Sequence, residues 1–249
     1  MIPKFIHYCW FGKNPLPASA QKCIASWRKY LPDYEIKEWN EDNFDVNIIP
    51  YTQQAYEAKK YAFVSDYARF WILYHEGGLY FDTDVEVIRS MGDIINRGAF
   101  MGIEQSAFLD GKPMVAPGLG LGVEAGHPFY KRMMAVYTNL EYKKIDGSFD
   151  DTTIVAYTTC ELYDQGFKMS DNIQEINGIW IYPADYFCPM DSTTGITTIT
   201  KRTVSIHHYD CSWMDHHSLR FKIHQLKNLF FRFIGQKNAL LINRLLYKI

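Results

Sequence analysis

The sequence predicts an α/β fold in which helices cover both faces of one sheet. Apolar stretches of strand length alternate with segments of helix length along most of the chain. Tyr34-Glu35-Ile36-Lys37-Glu38-Trp39 alternates with a period of two, the mark of a half-buried strand. The breaks between segments carry glycine and proline, as at Pro32 and Gly77-Gly78. A chain of 249 residues, 47% hydrophobic and 22% charged, has enough apolar material for a sizeable core and excludes a disordered chain.

The elements follow in order. Lys4-Phe5-Ile6-His7-Tyr8 reads as the first strand, and a Gly/Pro-rich turn runs from Gly12 to Pro17. A helix is expected over Ala18–Tyr30, closed by Pro32, before the alternating strand at Tyr34–Trp39. Two helices are expected over Thr52–Lys60 and Ala62–Glu76, the second stopped by Gly77 as its C′ glycine. A short apolar strand leads into Asp82-Thr83-Asp84, and Val85–Ile88 resumes an extended pattern. Ala99–Ile103 and Met114–Val115 read as strands, and Pro117–Gly122 as a turn-rich run. His127–Tyr137 and Asp151–Gln165 read as helices, Ile179–Tyr182 and Val204–His208 as late strands. In such sheets ligands sit beyond the carboxyl ends of the strands.

Five cysteines, odd in number and with no C-x-x-C spacing, argue against a disulfide scaffold or structural zinc and suit a reducing cytoplasm. No basic segment followed by an apolar run opens the chain, so no signal peptide is expected. No stretch reaches the roughly 18 apolar residues of a membrane span. The formal charge of −2 is unevenly placed. From Leu219 to Ile249 there are seven Lys or Arg and no acid, which leaves 19 of the 26 basic residues against all 28 acids in the body, a net of −9. The chain therefore divides at 1–218 and 219–249. In the tail, Phe221, Ile223, Leu226, Leu229, Phe230, Phe233 and Ile234 recur at helical spacing among basic residues. Such a basic amphipathic helix can lie on an anionic membrane or pack on the body with its basic edge solvated. The acidic body and the lack of a recognition motif argue against nucleic acid.

Asp82-Thr83-Asp84 is the segment richest in chemistry. Hard divalent cations take oxygen ligands, and Asp-x-Asp at a strand end can bring two carboxylates onto one ion. Two such ligands leave open positions that a diphosphate can fill. The bland alternative is a loop with two solvated acids. Asp66 and Arg69 lie three apart on the expected helix and share a face. They form either an intrahelical ion pair or a grip on a phosphate and a sugar, with Ser65 beside them as a small donor. Trp10, just after the first strand, either stacks on a nucleobase or fills the core; His7 reads as a satisfied core histidine. His207 and His208 follow a strand, where neighbours point to opposite faces, so one of them is expected to face a site and could join a Mn²⁺ shell. His216 and His217 stay unassigned. Asp150-Asp151 reads as an N-cap cluster, with an acceptor-side contact as the alternative. Gln105–Gly122 is either the acceptor pocket or a surface loop.

Five pieces of the chain carry a resemblance. They are I-P-K-x-I-H-x-x-W-F-G from Ile2, S-W-x-x-Y-x-P-D-Y-E-I-x-x-W-N from Ser26, Y-A-F-x-S-D-Y-A-R from Tyr61, G-G-x-Y-x-D-T-D-V-E from Gly77 and H-H-x-x-x-S-W from His207. In this order they resemble the DXD sugar-transferase family, which includes bacterial capsule and lipopolysaccharide glycosyltransferases and whose core is similar to that of clostridial glucosylating toxins. The resemblance implies a Rossmann-like GT-A fold, a nucleotide-diphospho-sugar donor, Mn²⁺ or Mg²⁺, and retention of anomeric configuration. It implies that Asp84 binds the metal, that Asp82 lies near metal and ribose or sugar, and that Asp66 and Arg69 hold the transferred sugar. Trp10 would stack on the base, His207 or His208 would complete the metal shell, and Ser212 and Trp213 would close over the diphosphate. Asp210-Cys211 departs from the glycine that many members carry before Ser-Trp.

The expectation is a metal-dependent, retaining transferase of surface-polysaccharide synthesis. Its donor is a UDP-sugar in preference to GDP-mannose, and its acceptor a saccharide or lipid-linked saccharide. It is placed in the cytoplasm, with the tail offering peripheral contact to the inner face of the cell membrane. The competing classes are a non-catalytic carbohydrate-binding protein and a metal-dependent phosphohydrolase.

Overall fold

Ile6 and the aromatic Phe5 and Tyr8 near the start of the chain form β1 (Phe5–Cys9), and helix α1 (Ala18–Tyr30) returns the chain so that β2 (Glu35–Trp39) lies parallel beside it, with Ile6 opposite Ile36. The computed structural model describes residues 1–109, 112–168, 170–192 and 194–210, and beyond them positions 226, 229–231, 233 and 235; side chains at 105–113 are outside this set. Cys211, Ser212, Trp213, His216, His217 and most of the expected tail therefore lie outside the described residues.

Helices α2 (Pro50–Glu57) and α3 (Tyr61–Glu76) carry the chain to β3 (Gly78–Tyr80), which pairs parallel with β1 on its other side. Gly77 ends α3 as expected. Its φ of +66° is a left-handed conformation that glycine adopts freely, and a Cβ there would stand 2.7 Å from the Ala125 amide nitrogen. The following β4 (Val85–Val87) leaves the main sheet. After α4 (Gly92–Arg97), β5 (Ala99–Leu109) and β6 (Lys112–Val115) form a hairpin, and β7 (Leu121–Val123) inserts antiparallel between β3 and β5. Helices α5 (Pro128–Thr138) and α6 (Ile154–Asp164) precede β8 (Gln174–Ile176) and β9 (Ile179–Tyr182), and α7 (Ala184–Phe187) precedes β10 (Ser205–His207).

Among the described residues the main sheet runs β2-β1-β3-β7-β5-β9-β8, with β6 on β5. It is mixed: β1, β2 and β3 are parallel, as are β5 and β9, and the remaining pairs are antiparallel. Apolar residues fill both faces. On one side Tyr80 and Met101 meet Phe70 and Leu73 of α3 and Met133 of α5. On the other, Leu79, Phe81 and Phe100 meet Ile24 and Trp27 of α1. Leu79, Tyr80 and Phe81 thus alternate between two cores, which is what a strand covered on both sides requires.

Several expectations need correction. Val85–Ile88 and Val204–His208 are extended but pair with each other as the antiparallel ribbon β4–β10, separate from the main sheet. Part of the turn-rich run at 117–122 is strand β7, preceded by a 3₁₀ turn at Pro117–Leu119. The α6 N-cap is Thr153, whose hydroxyl accepts from the Ala156 amide, so Asp150-Asp151 is not the cap. Asp150 instead accepts from the Thr152 amide and hydroxyl and from the Tyr157 hydroxyl. His7 is a satisfied core histidine: its Nδ1 accepts from Trp39 Nε1 at 3.0 Å and its Nε2–H donates to the Gly77 carbonyl at 2.9 Å. Burial pushes its imidazole down to about 4.

Candidate active site

β1 and β3 are parallel neighbours, so their carboxyl ends open on the same edge of the sheet. Trp10 follows β1 there and Asp82 follows β3. Helix α3 lies along the same edge and presents Tyr61, Ser65 and Arg69 at intervals of four, one face of the helix. These residues line a cleft of about 390 Å³, together with Asn14, Lys59, Lys60, Phe63, Tyr80, Asp84, His207 and Tyr209. Helical rise puts Tyr61 roughly 12 Å from Arg69 along the axis, so the cleft has room for an elongated ligand.

The floor of the cleft is electrostatically dense. Arg69 is 4% exposed and lies over the Tyr80 ring at 4.8 Å. Its Nη2 donates to Asp66 Oδ1 at 3.0 Å, its Nη1 meets Asp82 Oδ1 at 3.2 Å, and its Nε donates to the Ser65 carbonyl at 3.1 Å. The expected ion pair of Asp66 and Arg69 is therefore present, and Arg69 also orients the first aspartate of D-T-D. Nη1 also lies 3.4 Å from Asp82 Oδ2, so all three guanidinium nitrogens are engaged. Burial opposes the guanidinium charge, yet Asp82, Tyr80 and Asp66 hold it raised, so Arg69 is a fixed cation. Burial pushes Asp66 up to about 7 against the pull of Arg69. Ser65 is half-buried, and its hydroxyl donates to the Tyr61 carbonyl.

Asp82 approaches the backbone of the 3₁₀ turn: its amide donates to the Gly118 carbonyl at 3.2 Å, and a Cβ on Gly118 would lie 2.1 Å from Asp82 Oδ2. Among the described residues of the segment expected to form an acceptor pocket, Gly118 approaches Asp82, and none lines the cleft itself. Asp84 stands at the start of the β4–β10 ribbon. The ribbon's register sets His207 opposite Val85, and His207 Nε2 reaches Asp84 Oδ1 at 3.2 Å. Burial works against both charges, but each supports the other: Asp84 is held down at about 2 and His207 up at about 9. His208 turns to the other side and pairs with Glu86 Oε2 at 2.8 Å. Strand alternation separates the two histidines, and of the two it is His207 that converges with Asp82 and Asp84.

Asp82, Asp84 and His207 each offer one ligand atom, all within 4.8 Å of one another. Two carboxylates and an imidazole suit Mn²⁺, and Mg²⁺ less well. His207 Nδ1 is buried with no partner among the described residues, and Nε2 is the atom that faces Asp84. Trp10 is half-buried on the wall, with its Nε1 donating to the Asn14 carbonyl and its ring beside the cleft. Lys59, Lys60, Tyr61, Tyr80, Gly118 and Tyr209 were not singled out by sequence reasoning. Tyr80 stands in the G-G-x-Y-x-D-T-D-V-E piece and Tyr61 in Y-A-F-x-S-D-Y-A-R, where its spacing of eight from Arg69 could have placed it on the Arg69 face.

Residues 17–101 match the model of the glycosyltransferase sugar-binding region containing the DXD motif. Over this stretch the chain is similar to a DXD-type glycosyltransferase sugar-binding region. The region holds Ser65, Asp66, Arg69, Asp82 and Asp84, whereas Trp10 and His207 come from outside it. Inositol phosphoceramide mannosyltransferase 3 of Schizosaccharomyces pombe is 27% identical over 166 residues, 65% of this chain and 43% of that protein. An uncharacterised glycosyltransferase of Acanthamoeba polyphaga mimivirus is 32% identical over 106 residues, 40% of this chain and 42% of its own length. The matches thus span less than half the length of these curated relatives. Among solved structures, the PaToxG glycosyltransferase superposes with a TM-score of 0.49 at 19% identity, over 66% of this chain and 70% of that one. A glycosyltransferase involved in glycosylation of the major capsid of PBCV-1 gives 0.49 at 11% identity, over 92% and 100%.

Proposed function

We propose that the chain is a retaining glycosyltransferase of GT-A type that depends on a divalent cation, Mn²⁺ in preference to Mg²⁺. It transfers a sugar from a nucleotide-diphospho-sugar, a UDP-sugar first among them, to a saccharide or lipid-linked saccharide in surface-polysaccharide synthesis. The carrying observation is the convergence of Arg69, Asp82, Asp84 and His207 on one elongated cleft with Trp10 on its wall. In the reaction, negative charge grows on the β-phosphate as the sugar departs. A bound cation would supply Lewis-acid stabilisation of that charge, held by Asp82, Asp84 and His207. Arg69 is a permanent cation, preoriented by its carboxylate partners beside the same position. Asp66 and Ser65 lie on the sugar side of Arg69 in this reading, and Trp10 stacks on the base. The leaving phosphate oxygen deprotonates the acceptor hydroxyl, so no dedicated base is required.

Mannose and a ceramide lipid stand in the name of the yeast relative, which supports a membrane-borne acceptor and argues for including GDP-mannose among the donors tested. The tail fits that setting. Leu226, Leu229, Phe230 and Phe233 are helical, exposed, and spaced as one apolar stripe, and no helix among the described residues is long and apolar enough to cross a membrane. We propose that the exposed stripe brings the protein to the inner face of the cell membrane. The test is a screen of purified protein and Mn²⁺ against UDP-, GDP- and dTDP-sugars, read as nucleoside diphosphate release. Slow hydrolysis of one donor is expected even without acceptor. Silence across the panel, with no nucleotide shifting the melting temperature, overturns the transferase reading in favour of carbohydrate binding.

A further inference from the structure

Tyr209 holds an uncommon position. Its φ is +52°, a left-handed conformation that a bulky side chain rarely adopts, and it sits two residues beyond His207 at the point where β10 gives way to the next segment. Backbone outliers of this kind persist only where the surroundings fix them. Here the turn aims both neighbouring amides at one residue: His208 N–H donates to the Asp84 carbonyl and Asp210 N–H to Asp84 Oδ2, each at 3.0 Å. With Oδ2 held by the amide, Asp84 turns Oδ1 toward His207. The Tyr209 ring meets the His207 ring edge to face, with centroids 4.3 Å apart at 84°. The far end of Tyr209 is fixed from two other elements. Its hydroxyl donates to Glu104 Oε1 on β5 at 3.0 Å and lies 2.9 Å from Cys188 Sγ after α7. The hydroxyl's proton goes to the carboxylate, and the thiol has both the hydroxyl and the Met190 carbonyl, at 3.7 Å, within reach.

We propose that Tyr209 is a positioning residue for the Asp84–His207 pair, and that Glu104 is its anchor. The β5 carboxylate, through the tyrosine ring and its turn, fixes the third ligand and the free oxygen of the second. The proposal rests on the metal-dependent reading above. Neither residue needs to touch the cation or the substrate, and neither lies in the matched region at 17–101.

The experiment measures Mn²⁺ affinity of the full chain by the electron paramagnetic resonance signal of free Mn²⁺. Tyr209→Phe and Glu104→Ala are each expected to weaken binding about tenfold, as loss of an outer support of a metal ligand does. Glu104→Gln keeps an acceptor oxygen for the hydroxyl and is expected within threefold of the native chain. The double variant Tyr209→Phe/Glu104→Ala is expected to be no weaker than the weaker single one, because both remove the same bond. Binding within twofold of native in Tyr209→Phe and Glu104→Ala, while His207→Ala loses it, overturns the proposal. If Tyr209→Phe does not fold, as read by near-ultraviolet circular dichroism, the contrast of Glu104→Ala with Glu104→Gln decides. If the native chain binds no Mn²⁺, the metal reading fails on its own, and the His207 ring signals in long-range ¹H–¹⁵N spectra decide the positioning. One ordered ring in native and Glu104→Gln protein that broadens or splits in Tyr209→Phe supports it; identical spectra sink it.

Discussion

Asp84 takes a hydrogen bond from a backbone amide on one oxygen and faces His207 with the other, so its charge and its shape can be tested apart. Asp84→Asn keeps the shape and removes the charge. It should abolish turnover and Mn²⁺ binding while leaving circular dichroism unchanged, and near-normal activity would sink the metal assignment. Arg69 is tied to two carboxylates, and its removal leaves both without their buried cation. Arg69→Ala should lower kcat/KM at least a hundredfold, about 2.7 kcal/mol of transition-state stabilisation. A loss below threefold would reduce Arg69 to a structural ion pair. The pH dependence follows from signs. His207 is raised to about 9 from 6.5, so its ionic contribution to stability is full below about 6.5 and is lost as pH rises through 9. Asp84 is lowered to about 2 from 3.8, so its contribution holds above 3.8 and is lost as pH falls toward 2. Mn²⁺ must displace the His207 proton, so its binding should tighten from pH 6.5 to 9 while the metal-free protein loses stability over the same interval. Melting curves at pH 6, 7.5 and 9, with and without Mn²⁺ and against His207→Ala, would show the two trends crossing.

Elements place these residues, and two glycines show how. Gly77 allows α3 to end and β3 to begin without a spacer, which fixes Asp82 one strand after Arg69. A Cβ there meets backbone, which cannot move aside, and φ is left-handed. Gly77→Ala should cost at least about 2 kcal/mol, lowering the melting temperature by roughly 4–8 °C for a domain of this size. Gly118 differs, because the atom a Cβ would strike is the end of the Asp82 side chain. Gly118→Ala should therefore leave the melting temperature within about 3 °C of native and weaken Mn²⁺ binding about tenfold as Asp82 is displaced. The reverse pattern would mean that Asp82 is not held against this turn. Helix α3 was legible because its apolar period and glycine stop are local. The short elements α4, α7 and β8 were not, since three to six residues carry too little period to register and β8 is an edge strand.

Across the whole molecule, charge is divided between an acidic body and a basic terminal segment. If the exposed stripe at Leu226, Leu229, Phe230 and Phe233 meets a membrane, truncation after Asp215 should release the protein from anionic liposomes and leave neutral ones unaffected. Unchanged binding after truncation would return the segment to a packing role. The two-faced core also explains a limit of sequence reading. Parallel and antiparallel partners of a strand buried on both sides present the same apolar run, so the insertion of β7 between β3 and β5 had no signature.

The sequence by itself determined the α/β class, the D-T-D carboxylates at a strand end and the shared face of Asp66 and Arg69. Each rests on a period or spacing that a short stretch contains. Only the tertiary structure decided that His207 joins Asp82 and Asp84 while His208 turns to Glu86, because that choice depends on the register of β10 against β4, more than a hundred residues apart. It likewise decided that Glu104 and Tyr209 meet and that Arg69 spans two carboxylates. Local patterns are written in the spacing of neighbours; pairings between distant segments are set by which surfaces pack once the core has formed.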